Sequence, residues 1–369
     1  MYDITMALDH FKALLEDQMA RIANADPTKT DFTTKKQVII GVIDGDGIGP
    51  IITEHAKNVL NTLLKDEIQA GSIVLKQING LTIENRIACG KAIPDDVLME
   101  IKSCDVLLKG PTATPHGGSM ESANVAMRRE LDLYANCRPV CIPDKNIDWM
   151  FFRENTEGEY ILGSRGLELP GMAVDFKVTT DMGTRRIARA AFEYARNNGK
   201  NKVSIVTKAN IMKNTDGKFS TIAHEIAKDY PEITVDDWYI DIMTANLVNE
   251  AIRDQFQVFL LPNLYGDIIT DEAAQIQGGV GTAGSANMGD RYAMFEAIHG
   301  TAPRLIEEGL SAYANPASIL KATAMLLRHI CRTEAAVKLE KAMEACSDLV
   351  VDVSGITGTE YAEAVMKNL

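Results

Sequence analysis

The chain has 369 residues, of which 46% are hydrophobic and 24% charged, and its formal net charge is −13. This composition is ordinary for a globular protein that is long enough for one large or two medium domains. The negative charge disfavours nucleic acid and anionic membrane as partners, and no apolar run approaches the roughly 18 to 20 residues needed to span a bilayer.

The six cysteines and the N-terminus bear on the compartment. The cysteines are scattered and form no Cys-x-x-Cys pair, so we expect reduced thiols rather than disulfides or zinc ligands. The first residues lack a basic segment followed by an apolar one, and early acidic residues argue against an intact transit peptide. We expect a cytoplasmic protein, and a processed organellar protein is also compatible with the sequence.

Residues 1–36 differ from the rest of the chain. A rough apolar stripe predicts a helix, and residues 26–31 are predicted to form a linker. This extension could pack on the body of the protein, pair with a neighbouring chain or be mobile. The stripe consists of Met6, Phe11, Leu14, Leu15, Met19 and Ile22.

From Lys36 onward, short apolar runs alternate with helical segments. Residues 38–43 predict a buried strand, and Pro50 suits the first turn of the helix that follows. A later helix is predicted to run through 184–196 and to stop at Asn198-Gly199. Further strands are predicted at 106–108, 203–206 and 258–261. The alternation predicts an α/β protein with a mostly parallel sheet, in which ligands lie beyond the C-terminal ends of the strands.

Glycines 45, 47 and 49 follow the first predicted strand. Their spacing is not Gly-x-Gly-x-x-Gly, and no Lys-Ser/Thr follows them, so neither the dinucleotide fingerprint nor the P-loop is matched. Asp44 and Asp46 would repel a pyrophosphate. The segment is either a tight turn beside a ligand or a purely structural turn.

A dense polar segment runs from Arg153 to Tyr160, directly after the apolar residues 149–152. One predicted strand therefore delivers a guanidinium, carboxylates and a phenol to one edge of a sheet. In a core each of these groups must be paired or hydrated. A site that binds an anion and moves a proton would use them, and the other interpretation is a charged surface turn.

Three arginines are predicted near strand or helix ends: Arg128, Arg138 and Arg153. Ser122 and Asn124 lie near the N-terminus of the helix that carries the first of them. Because bidentate contacts between arginine and carboxylate are strong, three arginines could hold a substrate with two or three carboxylates. Taken alone, each arginine is more often a solvated surface residue.

Asp267 and Asp271 are four residues apart, so on a helix they would share a face. Paired carboxylates suit Mg²⁺ or Mn²⁺, and the alternative is a pair of aspartates favoured by the helix dipole. Lys208 directly follows a predicted strand. A lysine beside a metal can act as a base, although a plain surface lysine fits this position equally well.

Small residues separate His299 from Pro303, and Asn315 follows further along the chain. The backbone of such a loop can approach a ligand closely. The histidine could stack on a cofactor or form a hydrogen bond with it.

Together these motifs resemble the β-decarboxylating dehydrogenases, the isocitrate and isopropylmalate dehydrogenase family. The segments 153–160, 263–267 and 299–303 carry the resemblance, which extends from about Lys36 to Leu369. It implies an α/β, non-Rossmann fold with a large domain, built from both chain ends, and a smaller domain. We place the large domain at 37–132 and 278–369. The smaller domain is placed at 133–277, with a clasp near 158–182 that binds a second subunit, and the N-terminal extension at 1–36.

The resemblance also implies roles for the polar residues. Lys208 assists removal of the substrate hydroxyl proton while hydride passes to the nicotinamide, CO₂ leaves, and Tyr160 supplies the proton that completes 2-oxoglutarate. Glu154, Asn155 and Glu157 would contact the cofactor or support the site. Substrate binding is implied for Ser122, Asn124, Arg128, Arg138 and Arg153, and binding of Mg²⁺ or Mn²⁺ for Asp241, Asp267 and Asp271. Lys208 and Asp241 are expected from the partner subunit, so we expect a homodimer or a higher homo-oligomer with shared sites and an inactive monomer.

The substrate follows from the helix that begins near Ser122. Isocitrate dehydrogenases have Ser-x-Asn-x-x-x-Arg here, as this chain does, whereas isopropylmalate dehydrogenases have Glu and Leu. Ser122 and Asn124 can form hydrogen bonds with the γ-carboxylate of isocitrate, which a leucine cannot. Homoisocitrate or another 2-hydroxy diacid is the alternative substrate, and a regulatory subunit of a hetero-oligomeric isocitrate dehydrogenase is the alternative without activity.

The choice between NAD and NADP depends on a few positions near the end of the chain. Arg304 could pair with the 2′-phosphate of NADP, but Ala314 is typical of NAD-type members, and residues 350–355 offer no Tyr or Arg for that phosphate. NAD is therefore favoured over NADP. The residues expected to bind it are Thr114, Glu296, His299, Gly300, Thr301, Ala302 and Asn315.

Overall fold

The structure is a computed structural model that describes residues 4–24, 28–115, 120–162, 165–279 and 283–369. The chain divides into two compact units. The first unit comprises Met1–Lys29 and Trp149–Ile269, and the second comprises Thr30–Asp148 and Thr270–Leu369. Each unit is described by itself below.

Helices and strands alternate along most of the chain, as predicted. The strands are β1 (Val38–Ile43), β2 (Ile73–Ile78), β3 (Val106–Lys109), β4 (Ala135–Ile142), β5 (Ile147–Glu154), β6 (Leu167–Leu169), β7 (Met172–Val174), β8 (Lys202–Thr207), β9 (Thr234–Tyr239), β10 (Val258–Leu261), β11 (Gly284–Met288) and β12 (Ala293–Ala297). The helices are α1 (Ile4–Ala23), α2 (Gly49–Leu63), α3 (Lys65–Gln69), α4 (Ile83–Cys89), α5 (Asp95–Lys102), α6 (Ala123–Glu130), α7 (Asp181–Asn197), α8 (Thr215–Ala227), α9 (Ile240–Val248), α10 (Asn263–Ile276), α11 (Pro303–Glu307), α12 (Ala317–His329), α13 (Thr333–Glu344) and α14 (Gly358–Lys367).

The sheet of the second unit is mixed. Its strands follow the order β2-β1-β3-β12-β11-β4. The pairs among β2, β1, β3 and β12 are parallel, whereas β11 runs antiparallel to both β12 and β4. All four residues of β3 are buried, as expected for a strand covered on both faces. Its C-terminal residue, Lys109, therefore carries an amine into the protein interior.

The sheet of the first unit is parallel in the order β5-β10-β8-β9. Its core is aromatic: the rings of Phe151 and Phe259 stack with centroids 4.3 Å apart, and Trp149 packs edge-on against both. The C-terminal ends of β5 and β8 deliver Arg153 and Lys208 to the same edge of this sheet. The predicted helix over 184–196 is part of α7, which begins at the capping residue Thr180.

The N-terminal extension forms the predicted helix, α1, and most of its apolar stripe is exposed. Leu14 is buried, whereas Met6 and Met19 are each 70% exposed. The buried face also includes Gln18. Leu14 packs with Ile161, Leu162, Phe176 and Val178 of the first unit. The helix therefore packs on the first unit through a face that combines Phe11 and Leu14 of the predicted stripe with the polar Gln18.

The boundaries of the compact units differ from the predicted domain boundaries at 132–133 and 277–278. The units change at 148–149 and at 269–270, and β4 pairs with β11 inside the second unit. The predicted division into domains remains a prediction. Residues 26 and 27 of the predicted linker and residues 163–164 of the predicted clasp lie outside the described residues. In the described ranges, no helix is both long and apolar enough to cross a membrane.

Candidate active site

Arg153 is a fully buried cation, one residue before the end of β5, and its guanidinium is held by α10. Its Nε and Nη2 donate to Asn263 Oδ1 at 3.0 and 2.6 Å, and Nη1 pairs with Asp267. Gly266 makes this approach possible, because a Cβ atom at that position would lie 2.6 Å from the side chain of Arg153. The arginine is therefore fixed in direction before any ligand binds.

Tyr160 joins the same cluster. Its hydroxyl donates to Asp267 Oδ2 at 2.7 Å, and the Arg153 guanidinium lies 5.2 Å from the centre of its ring. Asp267 therefore contacts both an arginine and the phenol through its two carboxylate oxygens. The structure brings these three predicted site residues together within the first unit.

Asp267 and Asp271 lie one turn apart on α10, as their spacing predicted. Arg138 Nη1 donates to Asp271 Oδ1 at 2.8 Å and also to Thr270 Oγ1. Two carboxylates at this spacing offer the hard oxygen ligands that Mg²⁺ and Mn²⁺ prefer, so their chemistry fits such an ion. Within the described part of the chain, no group of three or more His, Cys, Asp or Glu residues could hold a metal by itself.

Lys208 and Asp241 form a separate pair in the first unit. Lys208 Nζ lies 2.5 Å from Asp241 Oδ1, and this hydrogen bond lowers the pKa of the aspartate. Asp241 is 60% exposed, and Tyr239 and Ile242 beside it are 42% and 45% exposed. The pair thus lies on a surface with exposed apolar neighbours.

A buried ion network in the second unit contains two predicted residues, Arg128 and Glu296. Arg128 Nη2 lies 3.6 Å from Glu296 Oε1, and Asn287 Nδ2 donates to the same oxygen at 2.8 Å. Lys109 Nζ donates to Glu296 Oε2 at 3.0 Å and to the carbonyl of Gly110 at 2.8 Å. Burial alone would raise the pKa of Glu296, but Lys109 and Arg128 outweigh it and lower that pKa to about 2.

Lys109 and Arg128 both face the carboxylate of Glu296, so this network brings two cations together at a position where an anionic ligand could contact them. Lys109 was missed by the sequence interpretation. The available signal was a lysine at the C-terminal end of an otherwise apolar strand, where parallel sheets place their ligand-binding residues. Burial lowers the pKa of its amine, and Glu296 opposes this shift.

Ser122 precedes α6, and Asn124 and Arg128 lie on it. Asn124 Oδ1 accepts a hydrogen bond from Thr112 Oγ1 at 3.0 Å. The flanking backbone is held by Arg86, a fully buried residue that the sequence interpretation also missed. Arg86 Nη1 donates to the carbonyl of Ala113 at 2.7 Å, Nη2 to that of Glu121 at 3.3 Å, and Nε to that of Ala92 at 2.8 Å.

The loop that begins at His299 contacts the turn that contains Gly45, Gly47 and Gly49. Ile48 N donates to the carbonyl of Thr301 at 3.2 Å, and a Cβ atom on Gly47 would lie 2.2 Å from that oxygen. Ala302 has a positive φ of 47°, and α11 begins at the next residue. Burial lowers the pKa of His299, which favours the neutral imidazole.

The remaining expected cofactor residues lie in this unit as well. Thr114 is exposed in the segment after β3, and Gly300 lies in the loop between His299 and Thr301. Asn315 Oδ1 accepts a hydrogen bond from Ala317 N at 2.9 Å, so its side chain holds the start of α12. The aspartates of the glycine turn are engaged with the protein: Asp46 accepts from Ile83 N and Ala113 N, each at 2.8 Å.

Comparisons with protein families and with known sequences relate this chain to the same group of dehydrogenases. The family model described as isocitrate/isopropylmalate dehydrogenase matches residues 39–363. The chain is 36% identical over 316 residues to isocitrate dehydrogenase [NAD] subunit 2, mitochondrial, of Schizosaccharomyces pombe, covering 82% of this chain and 79% of that one. It is 36% identical over 350 residues to 3-isopropylmalate dehydrogenase of Methanothermobacter thermautotrophicus, covering 90% and 99%.

A solved structure agrees with these sequences. The crystal structure of isocitrate dehydrogenase from Methylococcus capsulatus superposes with a TM-score of 0.80 at 34% identity, covering 90% of this chain and 99% of that one. The predicted fold class is thereby confirmed. The chain belongs to the isocitrate/isopropylmalate dehydrogenase family, the β-decarboxylating dehydrogenases, enzymes that use NAD or NADP with a divalent metal.

Proposed function

We propose that the protein catalyses oxidative decarboxylation of isocitrate to 2-oxoglutarate and CO₂, with reduction of NAD and a requirement for Mg²⁺ or Mn²⁺. The observation that carries the choice of isocitrate is the polar start of α6. Asn124 already has a polar partner, the hydroxyl of Thr112, and Arg128 lies one turn further on the same helix. An alkyl substituent there could not accept hydrogen bonds from the Asn124 amide N–H₂ group or from Arg128 Nε, which has no hydrogen-bond partner among the described residues, at a cost of about 1 to 3 kcal/mol for each donor left unpaired.

Three arginines support a substrate with several carboxylates. Arg128, Arg138 and Arg153 are 9%, 8% and 0% exposed, and each has an acidic partner that fixes the guanidinium. Buried and directed arginines lose little side-chain entropy when a carboxylate binds. We propose that they hold the carboxylates of isocitrate together with Ser122 and Asn124.

Proton movement is assigned to Tyr160 and Lys208. The phenol donates to Asp267, so its proton is held at a defined position before transfer to the substrate carbon. Lys208 Nζ is held by Asp241 and would assist removal of the proton of the substrate hydroxyl. When bound by Asp267, Asp271 and Asp241, the metal would supply electrostatic stabilisation of the negative charge that develops on the substrate oxygen.

The surroundings of Arg304 support NAD over NADP. Its Nε donates to Glu308 Oε1 at 2.6 Å, and its side chain is 85% exposed. A 2′-phosphate at this arginine would approach the Glu308 carboxylate and be repelled. Arg304 is thus a weak candidate for phosphate recognition, and the dinucleotide would bind through the residues expected from the sequence around His299 and Asn315.

A homodimer with shared active sites is supported by the position of Lys208 and Asp241. The two side chains pair with each other on a surface where Ile211 is 65% exposed and Ile242 45% exposed. Such apolar exposure is typical of a surface that another chain covers. We propose that the partner chain is a second copy, which receives these two residues into its active site.

A substrate panel tests the proposal. The purified full chain would be assayed with isocitrate, homoisocitrate and 3-isopropylmalate, each with Mn²⁺ and with NAD or NADP, and kcat/KM compared. We expect the highest value for isocitrate with NAD. Asn124→Leu should lower kcat/KM for isocitrate by about tenfold or more, whereas Asn58→Leu, an exposed asparagine on α2, should not.

The panel also separates the alternatives. A higher kcat/KM with homoisocitrate would contradict the proposed substrate, and a higher kcat/KM with NADP would contradict the proposed cofactor. Neither result would change the family to which the chain belongs. No turnover by the chain alone, recovered on adding a related subunit, would identify a regulatory subunit of a hetero-oligomer.

A further inference from the structure

Two glutamates lie buried in the segment that joins Arg153 to Tyr160. Glu154 is 3% exposed and Glu157 is 2% exposed. Glu154 accepts hydrogen bonds from the backbone N–H groups of Thr156 and Glu157, so it supports the local turn. The charge of Glu157 needs a cation, because an unpaired buried carboxylate is strongly destabilising.

The N-terminal helix supplies that cation. Arg21 of α1 donates from Nη2 to Glu157 Oε1 at 2.7 Å. Its Nε donates to Gln18 Oε1 at 3.0 Å, and Gln18 is itself buried, so the guanidinium is fixed in direction. This contact spans 136 residues of sequence and links the extension directly to the polar segment.

Glu157 connects several parts of the first unit. Thr180 N, at the start of α7, donates to Glu157 Oε2 at 2.8 Å. Asn263 Nδ2 donates to the Glu157 carbonyl at 3.0 Å, while its Oδ1 holds Arg153. A Cβ atom on Gly183 would lie 2.4 Å from the Glu157 carboxylate, so this pocket is closely packed. A displacement of Glu157 would therefore be transmitted to the segment that leads to Tyr160.

The remaining charges around the pocket make Arg21 important. Arg186 Nη2 donates to Thr156 Oγ1 at 2.9 Å and lies on the side of Glu154. Burial and the charge of Glu157 raise the pKa of Glu154 to about 7. Removing Arg21 would leave the buried carboxylate of Glu157 without the cation that contacts it, and the cost of this uncompensated charge would loosen the turn.

We propose that Arg21 is a positioning residue for proton transfer by Tyr160 and that it acts through the buried carboxylate of Glu157. This inference rests on the function proposed above. It gives the N-terminal helix a role in turnover. Of the three substrate arginines, only Arg153 is linked to Glu157, through Asn263, and it is also held by Asp267, so substrate affinity should change less than the rate of turnover.

The test uses the full chain with Arg21→Gln, Arg21→Lys and the control Lys12→Gln. Lys12 lies on the same helix in an exposed pair with Glu16, so its loss removes an equal charge away from the pocket. With isocitrate, NAD and Mn²⁺, we expect Arg21→Gln to lower kcat about tenfold while KM changes less than about twofold. Arg21→Lys should recover much of the loss, and Lys12→Gln should match the wild type.

Hydrogen–deuterium exchange of residues 155–162 provides a readout that needs no substrate. We expect faster exchange there in Arg21→Gln than in Lys12→Gln. If the wild type does not turn over isocitrate, the proposed function fails and exchange still tests the coupling. Wild-type exchange together with wild-type kcat in Arg21→Gln would overturn the proposal.

A double variant keeps the proposal testable if Arg21→Gln alone does not fold. In a Glu157→Gln background the charge that requires Arg21 is gone, so adding Arg21→Gln should change kcat and exchange little further. Fully additive effects would show that Arg21 acts by another route and would contradict the proposal. If Arg21→Gln alone does not fold, the double variant should fold. A double variant that also fails to fold would contradict the proposal.

Discussion

At the scale of single residues, the site depends on charges that are buried but paired. Glu296 stays ionised in the interior because Lys109 and Arg128 face it from β3 and α6. Breaking such a pair leaves an uncompensated charge, which costs more than the pair contributes. The same logic applies to Arg153, whose three contacting nitrogens are satisfied by α10.

The lowered pKa of Glu296 predicts a pH dependence of stability. Its pKa is about 2 in the folded protein and 4.5 as the ordinary value, so its contribution is present above about pH 4.5 and is lost as the pH falls toward 2. Glu296→Gln should lower the free energy of unfolding at pH 7 by about 3 kcal/mol. Urea unfolding at pH 7, 5 and 4 should show the difference from wild type shrinking below pH 4.5, and a constant difference would refute the assignment.

At the scale of elements, the start of α10 is shaped to receive β5. Asn263 and Asp267 contact Arg153, and Gly266 lies between them in sequence with its Cα against the arginine side chain. A helix that begins beside the end of a strand can thus fix a side chain from that strand. The strand ends themselves were predictable: residues 38–43 and 258–261 read as apolar runs and are β1 and β10.

Gly266→Ala tests this contact. The new Cβ would lie 2.6 Å from the side chain of Arg153, so we expect a loss of about 1 to 3 kcal/mol in stability and a raised KM for isocitrate. Gly217→Ala on α8 is the matched control, because its Cβ would have no atom within 4 Å. The control should keep its KM and should gain up to about 1 kcal/mol of stability. Thermal unfolding and steady-state kinetics check both, and equal behaviour of the two variants would contradict the prediction.

The sequence predicted several side chains that the structure brings together, and the buried partners it missed have a common physical origin. Asp267 and Asp271 were found because helical spacing is a local property. Lys109 and Arg86 were missed because their partners are backbone carbonyls or residues far along the chain, such as Glu296. Arg21 was missed for the same reason, since its partner Glu157 lies 136 residues away.

At the scale of the whole molecule, the proposed activity requires two chains. Arg153, Tyr160 and Asp267 meet within one first unit, whereas Lys208 and Asp241 pair with each other on an exposed surface. If Lys208 and Asp241 act in the partner's active site, a substitution of either residue lowers the activity of that site and not of the site in its own chain. Under this proposal the dimer is the smallest active species.

Mixing variants tests the exchange of residues. Homodimers of Tyr160→Phe and of Lys208→Met should each be nearly inactive. Equal amounts, unfolded and refolded together, should recover about a quarter of wild-type activity, because half of the dimers are mixed and each has one intact site. A mixture of Lys208→Met with Asp241→Asn should recover none, since both residues are lent to the partner. Recovery in that control, or none in the first mixture, would show that the sites are not shared as proposed.

The buried Arg86 has a consequence for how this family member could change its substrate. Its guanidinium holds the backbone on both sides of the segment that precedes α6, through the carbonyls of Ala113 and Glu121, and makes no use of the side chains there. Residues 122 and 124 can therefore be exchanged without loosening the support beneath them. The residue that supports the backbone here, Arg86, is thus different from the residues expected to select the substrate. A new substrate preference could therefore arise by a few substitutions while the backbone keeps its support.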